Sequence, residues 1–204
     1  MKWCLILLLA CSGFAGDGPR LFYSKSFPGS VPPYVEITVN EAGAVAYREA
    51  PNEDNPITYQ LKPEQVKQVF DLVAKLNYFK QPLESPLKVA FMGTKTFRYE
   101  NGTQKSEVKF NYSEDLNAHA LADWFERMAE SAQQRINLER AAKYDKLGVV
   151  QALLELEVSF DHGRLLGLEQ YLPMLDRISK NETYMHTARE RAAEIAEAIR
   201  AGHS

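Results

Sequence analysis

Cysteine is nearly absent from this chain. The 204 residues include two cysteines, Cys4 and Cys11, and both lie near the N-terminus. If the N-terminal segment is removed on export, no thiol remains, which excludes thiol catalysis, cysteine-ligated zinc and iron–sulfur chemistry. An exported chain without disulfides must be stabilised by its own core, and a chain of about 150 residues or more can bury enough surface to do so.

Long hydrophobic runs are also absent. The one strongly apolar stretch, residues 3–10, follows Lys2 and precedes small residues that suit a cleavage site. Crossing a bilayer takes about 20 apolar residues, so this stretch is too short for a membrane span and has the arrangement of a secretory signal. We predict that residues 1–15 are a signal peptide and that the mature protein is periplasmic or extracellular.

A lipoprotein signal ending before Cys11 is the alternative. Residues 8–11 read Leu-Leu-Ala-Cys and resemble the lipobox of bacterial lipoproteins, in which the cysteine is acylated. In that case Cys11 would carry a lipid anchor, and this anchor would be the protein's one contact with the membrane.

Several kinds of functional signal are missing. The net charge is −3 and no basic cluster occurs, so nucleic-acid binding is not expected. The chain has no H-E-x-x-H motif, no G-x-S-x-G motif, and neither a dinucleotide-binding nor a phosphate-binding glycine loop. The sequence therefore predicts no cofactor and gives no positive sign of an enzyme.

The first pattern that is present is a β-hairpin. Apolar and polar residues alternate on both sides of Gly43, as they do in half-buried strands. We predict that Val39 lies opposite Val45 and Ile37 opposite Tyr47, which leaves a three-residue loop with Gly43 in the left-handed conformation. Residues 57–61 predict one more short strand.

A second hairpin is predicted at Asn101-Gly102, a strong signal for a two-residue turn. Such a turn pairs Glu100 with Thr103. This register places five apolar residues on one face of the hairpin, namely Phe97, Tyr99, Val108, Phe110 and Tyr112.

Two helices are predicted around the second hairpin. The first begins at Pro63, which suits a first helical turn, and ends near Phe79. Its apolar face consists of Val66, Val69, Phe70 and Val73. The second begins after Ser113 and runs to about Lys143. Its apolar stripe consists of Leu116, Ala120, Trp124 and Met128, widened by Leu121 and Phe125.

The remainder of the chain predicts three further helices. Their apolar residues are, in order, Leu147, Val150 and Leu154; Leu165, Leu168, Leu172 and Leu175; and Met185, Ala188, Ala192, Ile195 and Ile199. Pro173 predicts a kink or a restart, and residues 161–163 predict a break. The spacing in the last helix fits either a helical hairpin, which we favour, or a self-associating coiled coil. We thus expect an α+β fold, with a domain at 20–142 and a helical extension at 143–204.

Candidate residues for chemistry are few. His186 and Glu190 lie one helical turn apart, which suits two metal ligands, although charged residues at this spacing usually form a solvated helix face. His162 is predicted to lie in a turn, and His119 at a helix edge. Aromatic residues are frequent in the N-terminal half, which indicates a sheet core rather than a recognition surface.

Residues 20–112 are similar to an uncharacterised domain of bacterial exported proteins. The similarity rests on Phe27-Pro28-Gly29-Ser30-Val31-Pro32-Pro33-Tyr34, the hairpin at 35–47, Leu61-x-Pro63-Glu64-Gln65 and Tyr78-Phe79. That family carries cysteines in its Gly/Pro segment, and this chain has none there. The resemblance implies an α+β fold and a location in the cell envelope, and it implies no activity.

The sequence thus predicts an exported, non-enzymatic binding or structural protein of the bacterial cell envelope. Its partner would be a protein or another envelope component. The alternative is a metal-binding protein or metal-dependent enzyme that uses His186 and Glu190.

Overall fold

The structure is a computed structural model that describes residues 18–202. The predicted signal peptide, with Cys11, lies outside the described residues, and so does His203. Among the helices of residues 18–202, none has the length and apolar character needed to cross a membrane.

Within these residues, six strands form one antiparallel sheet with the order β4-β3-β2-β1-β5-β6. The strands are β1 (Arg20–Ser26), β2 (Tyr34–Asn40), β3 (Ala44–Arg48), β4 (Ile57–Gln60), β5 (Thr94–Asn101) and β6 (Gln104–Phe110). The helices are α1 (Pro63–Lys75), α2 (Leu116–Tyr144), α3 (Val149–Asp161), α4 (Leu172–Ser179) and α5 (His186–Arg200). This architecture confirms the predicted α+β fold.

Strand β1 was not predicted, and it lies at the centre of the sheet between the two hairpins. Its residue Leu21 lies opposite Val39 of β2 on one side and opposite Tyr99 of β5 on the other. Leu21 and Tyr23 face the core and are almost completely buried. The sheet is therefore larger than the two hairpins expected from the sequence.

The first hairpin has the predicted register. Ile37 lies opposite Tyr47 and Val39 opposite Val45. Gly43 has a φ of +84°, a conformation that glycine adopts without steric penalty. The pairing buries all four apolar side chains on one face of the sheet.

The predicted register of the second hairpin is wrong by two residues. Asn101 pairs with Gln104, and Gly102 and Thr103 form the loop. Of these two loop residues, Gly102 has a positive φ of +56°, which matches a turn with glycine at its first central position.

The observed register places Phe97 opposite Val108, whereas the predicted one would have placed Phe97 opposite Ser106. Pairing two apolar residues over the core favours the observed alignment. Because the shift is an even number of residues, the aromatic side chains keep the predicted face, except that Tyr112 lies beyond the end of β6.

Helices α1 and α2 cover one face of the sheet and share its hydrophobic cluster. The predicted apolar stripe of α2 is wrong at Leu116 and Ala120, which are exposed. The residues that α2 buries against the sheet are Ala118, Leu121, Phe125, Met128 and Ala132. Small residues at the ends of this face allow α2 to lie close to the sheet.

Beyond α2, the predicted buried face is wrong in part for α3, whereas most of the predicted apolar residues of the later segments are buried. Leu147, which precedes α3, and Leu154 are exposed. The residues that α3 buries in the core are instead Val149, Ala152, Leu153 and Leu156. Helix α4 starts at Leu172 with Pro173 in its first turn, as the predicted restart requires. The apolar seam of α5, from Ala188 to Ile199, is buried within the chain, so it is not available for a coiled coil between copies.

Two clusters of buried apolar residues share α2. The first lies between the sheet, α1 and the N-terminal part of α2, and the second between the end of α2 and helices α3 to α5. Helix α2 therefore connects the sheet to the C-terminal helices. The boundary at 142/143 stays a prediction.

Helix α1 ends at Lys75, before the predicted end near Phe79, because the next turn is left-handed. Asn77, Tyr78 and Phe79 have φ values of 50°, 53° and 61°. Consecutive non-glycine residues in this region carry a steric cost, so contacts must hold the turn in place. One such contact is a hydrogen bond from the Ser106 hydroxyl, on edge strand β6, to the carbonyl of Tyr78.

Candidate ligand-binding cleft

The strongest candidate site surrounds Tyr23 on β1. The Tyr23 ring stacks on Phe125 of α2, with ring centroids 4.6 Å apart and an angle of 8° between the planes. The residue is 1% exposed, yet it lines an open cleft of about 390 Å³. This volume lies within the range of ligand pockets in proteins.

Four parts of the fold build this cleft, which we call the Tyr23 cleft. They are β1 with Tyr23 and Lys25, the β1–β2 loop and start of β2 with Ser30, Val31, Pro32 and Val35, α2 with Glu126, Ala129, Glu130 and Gln133, and Arg164 after α3. The cleft therefore lies where the end of the sheet, the long helix and the C-terminal helices meet.

The hydroxyl of Tyr23 is buried and makes no hydrogen bond to any residue in 18–202. Three other buried tyrosines all donate to main-chain carbonyls of α2, at distances of 2.6–3.1 Å: Tyr59 to Met128, Tyr171 to Ser131 and Tyr184 to Ala142. Buried polar groups in native proteins are normally paired, so an unpaired one calls for an explanation. A ligand that accepts from Tyr23 provides one.

The Tyr23 hydroxyl stays protonated and can therefore donate a hydrogen bond. Burial raises the pKa of the Tyr23 phenol well above its ordinary range, and the nearby charge of Glu126 raises it further. The phenol is therefore neutral at physiological pH, so its O–H group can donate a hydrogen bond.

Lys25 and Glu126 are two further groups with unused hydrogen-bonding capacity. The Lys25 ammonium lies 3.7 Å from a Glu126 carboxylate oxygen, which is an ion pair but too long for a hydrogen bond. Over the described part of the chain, neither side chain makes any hydrogen bond. Both remain partly exposed, so a ligand can reach them.

Arg164, by contrast, forms two ion pairs. Its guanidinium lies 2.7 Å from Asp123 and 3.1 Å from Glu130, both on α2. A neighbouring bond, from Arg127 to the carbonyl of Gly163 at 2.8 Å, holds the same segment against α2. Arg164 therefore forms part of the cleft wall and connects the segment after α3 to α2.

A second cleft of about 590 Å³ adjoins the first and shares Lys25 and Glu126 with it. Its walls include Lys95, which lies directly opposite Lys25 in the sheet and donates to the carbonyl of Asn111 at 2.9 Å. Burial lowers the pKa of Lys95, and the positive charge of Lys25 lowers it further. The two clefts form a continuous depression along α2.

Exposed apolar side chains surround this depression. Val31, at the tip of the β1–β2 loop, is 98% exposed, and Leu87, Val89, Phe91 and Met92 project from the segment before β5. The two loops touch through Phe27 and Phe91, whose rings meet edge to face at 6.1 Å. Several apolar side chains exposed at one end of a domain are typical of an interaction site.

The residues singled out from the sequence lie elsewhere. His186 and Glu190 form a surface pair, with Nδ1 2.9 Å from Oε2 and side chains that are 71% and 60% exposed. No group of three histidine, cysteine, aspartate or glutamate residues positioned to hold a metal occurs within residues 18–202. His162 caps the C-terminus of α3, as the predicted turn requires, and the ring of His119 contacts the Ser113 carbonyl.

Sequence reasoning missed the Tyr23 cleft. The alternation of Leu21, Tyr23 and Lys25 was the available signal, because it indicates a strand whose last inward position is a charged residue. The aromatic residues of this region were assigned to a sheet core, and this is correct for the Tyr23 ring. Its hydroxyl, however, has no hydrogen-bond partner within residues 18–202.

No protein-family model matches this chain, and neither does any curated protein.

Proposed function

We propose that this protein is an exported, non-enzymatic binding protein of the bacterial cell envelope that holds its partner in the Tyr23 cleft and against the apolar loops around it. The observation that carries the proposal is the buried hydroxyl of Tyr23, which has no hydrogen-bond partner within residues 18–202 and belongs to a residue that lines a cleft of ligand size. A partner that supplies an acceptor would satisfy this group.

The polar groups of the cleft favour binding over catalysis. Ser30 is the one hydroxyl of the cleft besides Tyr23, and its Oγ lies 2.8 Å from the Phe27 carbonyl oxygen and 2.7 Å from the Pro32 carbonyl oxygen, so its single hydrogen is donated within its own loop. A catalytic serine would instead donate to a base. Tyr23 and Lys25 offer donors and Glu126 offers an acceptor, which is the chemistry of recognition.

The position of the cleft also supports this function. The first described residues pack at the far end of β1, where the carbonyl of Pro19 accepts from the Glu41 N–H at 3.1 Å. The seven residues of β1 separate that end from the Val31 loop by roughly 20 Å, at about 3.3 Å per residue. A protein attached through its N-terminal segment would present the cleft away from the attachment point.

Site-specific photocrosslinking in the producing cells tests the binding surface. We expect a photoreactive residue at Val31 to give a discrete crosslinked product, and the same residue at Gln104 to give none. Gln104 is exposed at the opposite end of the sheet and serves as the matched control. Equal crosslinking from both positions, or none from Val31, would contradict the proposal.

Mass spectrometry of the mature N-terminus tests export separately. A chain that starts at Gly16, or at an acylated Cys11, supports export. An intact Met1 in the cytosolic fraction would contradict it.

A further inference from the structure

We infer that the Tyr23 cleft recognises a peptide: a main-chain oxygen accepts from Tyr23 and Lys25, the neighbouring nitrogen donates to Glu126, and an apolar side chain lies on the wall formed by Val31, Val35 and Ala129. This inference rests on the proposed function, since it names the class of partner that the same cleft would hold.

Only some of the polar side chains in the Tyr23 cleft are free to bind a ligand. Of the polar side chains in the cleft, Arg164 and Glu130 bond to each other, Ser30 bonds to its own loop, and Gln133 interacts with the Tyr47 hydroxyl. Tyr23, Lys25 and Glu126 make no hydrogen bonds among the described residues. The unused groups are therefore one neutral donor, one cationic donor and one anionic acceptor.

Tyr23, Lys25 and Glu126 together select a ligand that carries both an acceptor and a donor. A purely anionic ligand would repel Glu126 and leave its carboxylate without a donor. A purely cationic ligand would repel Lys25 and leave its ammonium without an acceptor. A ligand with an oxygen acceptor and an N–H donor close together satisfies all three groups. Peptide units have this arrangement, and so do the two charged termini of a short free peptide.

The Tyr23 cleft also has an apolar wall. Val31 is fully exposed, and Val35 and Ala129 are half-buried beside the hydrophobic cluster of the sheet. An apolar side chain placed between them would be removed from water, which stabilises the complex. The adjoining second cleft continues along α2, so a chain longer than one residue has room to extend.

The same chemistry is found in a free short peptide and in a segment of a larger protein. We therefore suggest two probes for the full mature chain: the tripeptide Ala-Leu-Ala with free termini, and the same peptide with an acetylated N-terminus and an amidated C-terminus. Binding of the free form alone indicates a free peptide or a chain terminus. Binding of both forms indicates an internal segment of a polypeptide.

Titration followed by NMR gives both affinity and location. We expect resonances of residues 30–32 and 126–133 to shift with the peptide. We expect Tyr23→Phe to weaken binding about three- to tenfold, which corresponds to one lost neutral hydrogen bond. Tyr59→Phe removes the hydroxyl of a buried tyrosine that bonds to α2 outside the cleft, and this control should bind as the wild type does.

Glu126→Gln and Lys25→Met provide a second route if Tyr23→Phe fails to fold, because both side chains are partly exposed. Each should weaken the free peptide at least as much as Tyr23→Phe does, since charged hydrogen bonds are stronger. Unchanged affinity in the folded cleft variants, or no shifts from either peptide at millimolar concentration, would overturn the peptide inference. Crosslinking from Val31 would then still stand as the separate test of the binding surface.

Discussion

Lys25 and Lys95 lie directly opposite each other on β1 and β5, on the face of the sheet that α2 covers. Like charges in this relationship disfavour the folded state. Lys95 is stabilised by its hydrogen bond to the Asn111 carbonyl, whereas Lys25 has the longer contact with Glu126. The fold thus keeps an ammonium group that is incompletely neutralised at the junction of the two clefts.

Removing the Lys25 charge should raise the pKa of Lys95. The pKa of Lys95 is lowered first by burial and then by Lys25, so Lys25→Gln relieves the second cause and leaves the first. A lysine whose pKa is depressed in the folded state destabilises the protein while it is charged, so folding stability rises as the pH rises through its titration range. Because Lys25→Gln reduces this depression, stability should rise less steeply around pH 10 in the variant than in the wild type. NMR titration of the Lys95 side chain measures the pKa directly. Lys88→Gln, in the exposed loop, is the control and should leave it unchanged.

Ser131 joins α2 to the segment after α3. Its hydroxyl, at the centre of the protein, accepts from the backbone N–H of Leu166 at 2.8 Å. Ser131→Ala leaves that buried donor unpaired and should lower the free energy of unfolding by about 1–3 kcal/mol. Ser159→Ala removes a buried hydroxyl with one longer contact, 3.3 Å from Gln134, and should cost less. Equal losses in urea unfolding would contradict the role assigned to Ser131.

Gly167 and Gly163 form a matched pair of left-handed glycines, with φ values of +57° and +63°. A Cβ atom at Gly167 would lie 2.8 Å from the Gln60 carbonyl oxygen, whereas a Cβ at Gly163 meets nothing within 4 Å. Both alanine variants carry the conformational cost of about 1 kcal/mol, and Gly167→Ala adds about 1–3 kcal/mol of steric strain. Thermal unfolding of both variants measures the difference. Equal melting temperatures would show that the segment is not packed against β4.

Alkaline pH should destabilise the protein through its tyrosines. Burial, followed by the hydrogen bond to Glu36, raises the pKa of Tyr34 to about 12. The folded-state pKa of Tyr34 is above its unfolded value near 10. The protonated Tyr34 hydroxyl therefore stabilises the fold fully below pH 10, and this stabilisation is lost as the pH rises through about 12. NMR of the Tyr34 ring carbons follows the titration. Glu36→Gln should lower the midpoint, and an unchanged midpoint would exclude the Glu36 interaction as a cause.

Local signals in the sequence predicted local structure well. The first hairpin has the predicted register because Gly43 and the pairs Val39–Val45 and Ile37–Tyr47 all require the same alignment. At the second hairpin, the Asn101-Gly102 signal located the turn but not its register, because the pairing of Phe97 with Val108 decides the alignment.

Helix faces were harder to predict, because apolar periodicity gives most weight to large residues. In α2, Leu116 is exposed while Ala118 and Ala132 are buried. Tertiary contacts also orient this helix: the hydroxyls of Tyr59 and Tyr171 donate to main-chain carbonyls of α2. No such contact can be read from the helix by itself.

The site could not be predicted for the same reason. Tyr23, Glu126 and Arg164 are far apart in the sequence and meet only because β1 enters the centre of the sheet and α2 crosses it. The unpaired state of the Tyr23 hydroxyl is a property of this packing and leaves no mark on the sequence.

The most direct test of the account compares the stability of Tyr23→Phe and Tyr59→Phe. Tyr59→Phe loses a buried hydrogen bond and should unfold about 0.5–1.5 kcal/mol more easily than the wild type. Tyr23→Phe loses a hydroxyl that has no partner within residues 18–202, so it should be as stable as the wild type or more stable. If Tyr23→Phe instead loses as much stability as Tyr59→Phe, the Tyr23 hydroxyl is bonded within the protein and is not free to bind a ligand.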